Sequence, residues 1–199
     1  MAARRSKSPL GLILAGGRLL PWLLAWQQGR LTTAAFKEKT LALFRICDTV
    51  NRAEAAGRND WLLPALLEHL RPEAMHRLRW HQEKGDRVLL CSASPRMLLQ
   101  PLADFLRVEL LATELQREEG RWLPQLAGPN CKGPEKVRRL QNHLGPLEGF
   151  VIEAYGDSQG DRELLQAAER PHYRSFRPEL KPYPDVRAKR RLHPSVIEP

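Results

Sequence analysis

Cysteine is scarce: Cys47, Cys91 and Cys131 are the only three in 199 residues. They are odd in number, far apart and never in Cys-x-x-Cys spacing, so neither a disulfide framework nor a structural zinc site is expected, and a reducing cytosol suits the chain. Acidic residues are missing from Met1 to Leu10. No apolar run is long enough to span a bilayer, because Arg18 interrupts the Leu-rich stretch from Pro9 to Trp26. That stretch, after a basic start, imitates a signal peptide, yet no small-residue cleavage site clearly follows it. An amphipathic or buried helix pair is the expectation, with a helix resting on a membrane surface as the alternative. Basic segments with interleaved aromatics are also lacking, so the net charge of +9 does not point to nucleic acid. The one dense basic run is Arg187 to Arg191 in the tail. A basic surface equally suits a small anionic substrate such as a phosphate ester.

What is present is ordinary globular material. Hydrophobic residues make up 42% of the chain, enough for a real core in one domain or a core with an insertion. Residues 10–70 read as helical: Leu19, Leu20, Leu23 and Leu24 fall at helical spacing, and Phe36, Leu41, Leu43 and Phe44 repeat it. A helix is expected from Pro72 to Glu83, stopped by Gly85. The pattern then changes. Arg87 to Cys91 reads as a buried strand, Pro95 to Leu106 as a helix and Val108 to Ala112 as a second strand. Glu114 to Gln125 reads as a hairpin turning at Glu119-Gly120, and Pro134 to Leu144 as a helix. Gly149 to Tyr155 is a further strand, Ser158 to Ala168 a helix and His172 to Ser175 a short strand. Strands alternating with helices predict an α/β fold with a parallel sheet. The expected parts are a helical module over 1–70, an α/β core over 71–176 and an irregular basic tail over 177–199.

Three places carry candidate chemistry. In Gly156-Asp157-Ser158-Gln159-Gly160-Asp161 one carboxylate ends an apolar strand and another follows four residues on. Such a pair can converge on magnesium, a hard cation satisfied by few carboxylates and several waters. It can equally cap a helix. In Cys91-Ser92-Ala93-Ser94-Pro95 a hydroxyl and successive amides at a strand end can seat an anion, or the serine can simply cap. In Cys131 to Leu140 (CKGPEKVRRL), Lys136 lies in the first turn of a helix, where a cation opposes the dipole unless an anion sits opposite.

The order and spacing of these three resemble motifs II, III and IV of the haloacid dehalogenase-like superfamily, subclass IB, the phosphoserine phosphatase-like branch. The resemblance is close over 70–176. It is looser over 10–70, which resembles the helical cap following motif I. It implies a Rossmann-like core and a magnesium-dependent phosphomonoester hydrolase acting through an aspartyl-phosphate. It further implies that Ser92 and Ala93 bind the transferring phosphoryl group and that Lys136 neutralises charge, with Lys132 a weaker alternative. Asp157 would bind Mg2+, with Asp161 as a ligand or a partner behind it. The substrate would be a small phosphorylated metabolite or a lipid phosphate, the latter if residues 10–26 meet a membrane.

Motif I, an apolar strand bearing Asp-x-Asp-x-Thr, is not found. The first aspartate is Asp48, in a helical region and without an aspartate two residues on. The sequence is therefore expected to start after motif I and, as written, to be inactive. A degenerate relative that binds phosphorylated ligands without turning them over is the alternative, and Asp48 as a relocated nucleophile is the least favoured reading.

Overall fold

The computed structural model describes residues 19–58 and 61–176. The run Arg187 to Arg191 and the tail over 177–199 lie outside the described residues, as does the segment before Leu19. The chain forms two units, Met1–Leu62 with Thr113–Asn130, and Leu63–Ala112 with Cys131–Pro199. The hairpin, which falls inside the core stretch in sequence, thus belongs with the N-terminal helices.

In the first unit, α1 covers residues 19–27 and is followed by α2 (Thr33–Leu43) and α3 (Ile46–Ala55). Thr32 caps α2 by accepting the Ala35 amide at 3.1 Å. Cys47, Val50 and Ala53, one helical turn apart in succession, form the buried face of α3. Two strands, labelled β3 (Leu115–Glu118) and β4 (Arg121–Leu126) from their place in the whole chain, pair antiparallel. Both turn residues, Glu119 (φ 46°) and Gly120 (φ 76°), are left-handed, as a tight hairpin requires. The free edge of β4 is not left open. The Asn51 side-chain amide donates to the Trp122 carbonyl at 3.0 Å, and its oxygen accepts the Trp122 amide at 2.8 Å. Glu38 accepts the Leu126 amide at 2.8 Å, and Glu54 accepts the Trp122 indole N–H at 2.9 Å. Helix side chains therefore supply the pairing a further strand would give.

The second unit opens with α4 (Leu63–Leu67) and α5 (Pro72–Glu83), continues through β1 (Leu89–Pro95), α6 (Arg96–Leu106) and β2 (Glu109–Thr113), and resumes at α7 (Pro134–Leu144). A 3-10 turn (Leu147–Gly149), β5 (Glu153–Gly156), a second 3-10 turn (Gln159–Asp161), α8 (Arg162–Ala167) and β6 (Arg170–Tyr173) complete it. β1 neighbours β2, and Ala103 of α6 packs with Leu110 and Ala112 beneath them. β5 runs parallel to β6, with Ala154, Leu165 and Ala168 as their buried cluster.

The structure shifts several expected boundaries. The strand expected over Gly149 to Tyr155 is shorter, because residues 147–149 form a 3-10 turn and β5 begins only at Glu153. The strand expected over Arg87 to Cys91 starts later and runs through the serines to Pro95. Ser158 to Ala168 is no continuous helix: Ser158 and Asp161 form a reciprocal capping box around a 3-10 turn before α8 begins. The last strand sits earlier than His172 to Ser175, ended by Arg174 at φ 55°.

β1 and β5 are not paired with each other; they belong to separate two-stranded sheets. Between them lies a cavity of about 580 Å³, lined by Val88 to Cys91 on one side and Phe150 to Tyr155 on the other. Val151 on its wall is 70% exposed. Among the described residues no helix is long and apolar enough to cross a membrane.

Leu165 is 1% exposed at the centre of its cluster. Leu165→Ala is expected to lower unfolding free energy by about 2–5 kcal/mol, the range for cavity-forming core truncations. Urea unfolding followed by circular dichroism measures it, and a change within error would remove this cluster from the core.

Candidate active site

A lysine ammonium is seldom buried without acceptors. Lys136 is 6% exposed. It leaves the first turn of α7, and its Nζ donates to the Cys91 carbonyl at 2.6 Å and to Asp161 Oδ1 at 2.7 Å. The ammonium thus ties the strand bearing Ser92 to the loop bearing Asp157 and Asp161. Gly133, the N-cap of α7, donates its amide to the Gly160 carbonyl at 2.8 Å, holding the two loops together.

Asp161 is held as firmly on its other side. Its Oδ2 accepts the Ser158 hydroxyl at 2.7 Å, the Ser158 amide at 3.1 Å and the Asp157 amide at 3.3 Å. Burial pushes the Asp161 carboxyl up, but the Lys136 ammonium and the Ser158 donors outweigh that and hold it below its ordinary 3.8. The glycines around it follow from crowding. A Cβ on Gly156 would stand 2.5 Å from Asp161 Cβ, and one on Gly160 would stand 2.9 Å from Lys132 Cγ. Asp161 and the Lys132 stem can therefore lie where they do only against bare backbone.

Each residue expected from sequence has a definite place. Ser92 lies within β1, its Oγ accepting the Ser94 amide at 3.1 Å, with Ala93 between them. Asp157 follows directly on the last residue of β5. Lys136, Asp161 and the backbone beside Ser92 are brought together, while Lys132 lays its methylenes across Gly160 instead. Asp48 is elsewhere, on the exposed first turn of α3 in the other unit, paired with Arg45 at 2.7 Å.

Magnesium fits this donor set in part. It needs only one or two carboxylates beside phosphate and water oxygens. Asp157 stands directly after β5, and both Asp161 oxygens are engaged, Oδ1 by Lys136 and Oδ2 by Ser158. No group of three or more His, Cys, Asp or Glu side chains suited to a metal occurs among the described residues.

Sequence reasoning missed two participants. The Cys91 carbonyl is a main-chain acceptor, invisible to residue type. Cys131 Sγ lies 3.8 Å from Cys91 Sγ, a contact across 40 residues. The only sequence signal was that each cysteine immediately precedes a candidate residue, Ser92 or Lys132.

Comparison with known proteins agrees with this geometry. A family model described as haloacid dehalogenase-like hydrolase matches residues 1–166. Protein CicA of Caulobacter vibrioides is 36% identical over 166 residues, covering 80% of this chain and 72% of that protein. A protein of unknown function from Bordetella pertussis Tohama I has a similar structure, with a TM-score of 0.69 and 24% identity over 84% of this chain and 76% of its own. A phosphoserine phosphohydrolase-like protein from Francisella tularensis is similar at a TM-score of 0.54 and 17% identity, covering 84% and 73% of the two chains. These structural likenesses speak to the fold.

The carboxyl of Asp161 is depressed in the folded chain, so its contribution to stability is present above its unfolded value of 3.8 and is lost as pH falls through the lower folded value. Asp161→Asn, which strands the buried Lys136 ammonium, is expected to cost about 3 kcal/mol near neutral pH. That difference should shrink below about pH 4 as the native carboxylate protonates. Urea midpoints for both proteins from pH 7 to 3 measure it, and a pH-independent difference would show that charge is not what the pair contributes.

Proposed function

The chain belongs to the haloacid dehalogenase-like hydrolases, and on that premise we propose that it is the Ser/Lys/Asp portion of a magnesium-dependent phosphomonoester hydrolase. Its nucleophilic aspartate would be delivered on an extended segment seated between β1 and β5. The observation that carries this reading is the buried Lys136 ammonium, bonded to the Cys91 carbonyl of β1 and to Asp161 just beyond β5, two strands that belong to separate sheets.

The residues divide the work as follows. Ser92 and the amides beside it, Ala93 included, bind the phosphoryl oxygens. Lys136 neutralises charge shared between the phosphoryl group and the attacking carboxylate. Asp161 holds Lys136 in place, and Asp157 is the residue that would hold magnesium. The metal would supply further neutralisation of the phosphoryl oxygens. The incoming carboxylate attacks phosphorus, the ester P–O bond breaks, and the leaving alkoxide takes a proton from water. Water then releases phosphate and regenerates the carboxylate.

Room for such a segment is supported by the cavity that residues of both strands line. Adjacent strands lie about 4.8 Å apart, so two strands flanking a third stand roughly 10 Å apart. The cavity of about 580 Å³, lined by residues of β1 and β5, by exposed Val151 and by side chains of α5 and α7, leaves space for an added segment. No Asp-x-Asp pair occurs anywhere in the sequence, which is why the reading assigns the nucleophile to such a segment. The substrate is a phosphate monoester, either a phosphoserine-like metabolite or a lipid phosphate. Leu20 and Leu24, 55% and 47% exposed on α1, are the residues that would meet a lipid surface.

Residues 1–199 are expected to show no measurable hydrolysis of p-nitrophenyl phosphate with magnesium, since losing a nucleophile typically costs about 10⁴–10⁶ in rate. Turnover abolished by Asp48→Asn would overturn the assignment. Phosphate binding without turnover, even with the aspartate-bearing strand supplied, would favour a non-catalytic phospholigand-binding protein. In a chain extended to carry that strand, Lys136→Ala is expected to remove most activity, with Lys132→Ala milder. Small, equal effects of both would count against Lys136.

A further inference from the structure

Cys91 and Cys131 meet at the root of the site, and we propose that they are a reversible oxidation site whose disulfide closes it. The regulatory part rests on the phosphoryl-transfer reading; formation of the bond does not. The sulfurs are 3.8 Å apart, in a thiol–thiol contact. A disulfide needs about 2.05 Å, so the sulfurs must close by roughly 1.8 Å, a movement available to side-chain rotation and a small loop shift. Cys91 lines the cavity, whereas Cys131 is sealed at 0% exposure, so a small oxidant reaches the pair through Cys91. The third cysteine, Cys47, is buried on α3 in the other unit.

The surroundings favour loss of the pair's first proton. The contact with Cys91, helped by the nearby Arg139 and Lys136, draws the Cys131 thiol down to about 7 against the burial that raises it. The hydrogen-bonded partner and burial push Cys91 up, as expected when two thiols share one negative charge.

With hydrogen peroxide as the oxidant the steps balance. The Cys91 sulfur attacks one peroxide oxygen, passing its proton along the S–H···S contact. The O–O bond breaks, the leaving hydroxide takes from solvent the proton released when the pair first ionised, and Cys91 becomes a sulfenic acid. The Cys131 sulfur then attacks the sulfenic sulfur. The S–S bond forms, the S–O bond breaks, and the hydroxyl leaves with the Cys131 proton as a second water. Two thiols lose two electrons and one peroxide is reduced to two waters.

The consequence for the site is geometric. The Cys91 carbonyl is one of the two acceptors of Lys136, and Ser92 is the next residue. Cys131 begins the loop in which Lys132 lies over Gly160 and Gly133 bonds the Gly160 carbonyl. Drawing the sulfurs together pulls the phosphate-binding strand end against the lysine loop and moves an acceptor of the ammonium. Disulfides in reducing compartments are usually of this transient, sensing kind.

The test uses the 199-residue chain, reduced and then exposed to a small molar excess of hydrogen peroxide. It is blocked with iodoacetamide in denaturant, digested, and read by mass spectrometry without reductant. The expected result is a linked peptide pair containing Cys91 and Cys131, lost on treatment with dithiothreitol, with Cys47 alkylated throughout. Cys91→Ala is expected to leave Cys131 alkylated under the same treatment. Full alkylation of all three cysteines, a sulfinic acid at Cys91 with Cys131 alkylated, or a bridge involving Cys47 would overturn the proposal. These masses report equally in a chain with no phosphatase activity. Where the nucleophile strand is present, bridging is expected to lower turnover at least about tenfold, with recovery in dithiothreitol. Unchanged turnover with the bridge fully formed would refute the closing role alone. Absence of turnover before oxidation would count against the hydrolase reading and leave the bond standing.

Discussion

An ammonium taken out of water must find acceptors of matching charge and direction, and Lys136 finds them on segments 45 and 25 residues away. Much of the local design follows from that one demand. Asp161 can serve Lys136 only if its second oxygen is fixed, which the Ser158 capping box does. It can come close enough only because Gly156 has no side chain, and the neighbouring loop fits only because Gly160 has none. The chain thus sacrifices a regular helix start after β5 and gains a rigid carboxylate in exchange. A site whose charges are fixed before a ligand arrives needs little rearrangement when negative charge develops there.

The sequence made the alternation of strands and helices legible because each element keeps its own period and punctuation. Pro134 and Gly145 bracket α7, and Glu119-Gly120 turns the hairpin where expected. Boundaries at β5 and α8 were not legible, since a capping box and a regular helix start share the same residues, Ser158 and Asp161. The grouping of the hairpin with the helices was hidden too. It depends on Asn51 gripping the Trp122 backbone, a contact across 71 positions that no local pattern signals. The same holds for His81, whose ring reaches the Tyr155 hydroxyl at 3.1 Å across 74 residues. At the site, residue types singled out Lys136 and Asp161, but not that they would satisfy each other.

The two kinds of strand edge in this chain are treated differently. At β4 the unpaired edge is covered by Asn51, Glu38 and Glu54, side chains that imitate a neighbouring strand. β1 and β5 line a cavity whose wall mixes apolar Leu89, Leu90, Val151 and Ile152 with charged Arg77, Lys84 and Glu153. The edge of β4 is thus closed by helix side chains of its own unit, whereas β1 and β5 border open space.

The Asn51–Trp122 grip also fixes an order of events during synthesis. The first three helices leave the ribosome early, yet α3 meets its strand partner only after Trp122 has been made. By then β1, α6 and β2, whose contacts with one another are short-range in sequence, are complete. The intervening stretch is a closed loop of 71 positions, and closing so long a loop is slow compared with pairing neighbours. Packing of α3 on β4 is therefore expected to follow the pairing of nearer neighbours.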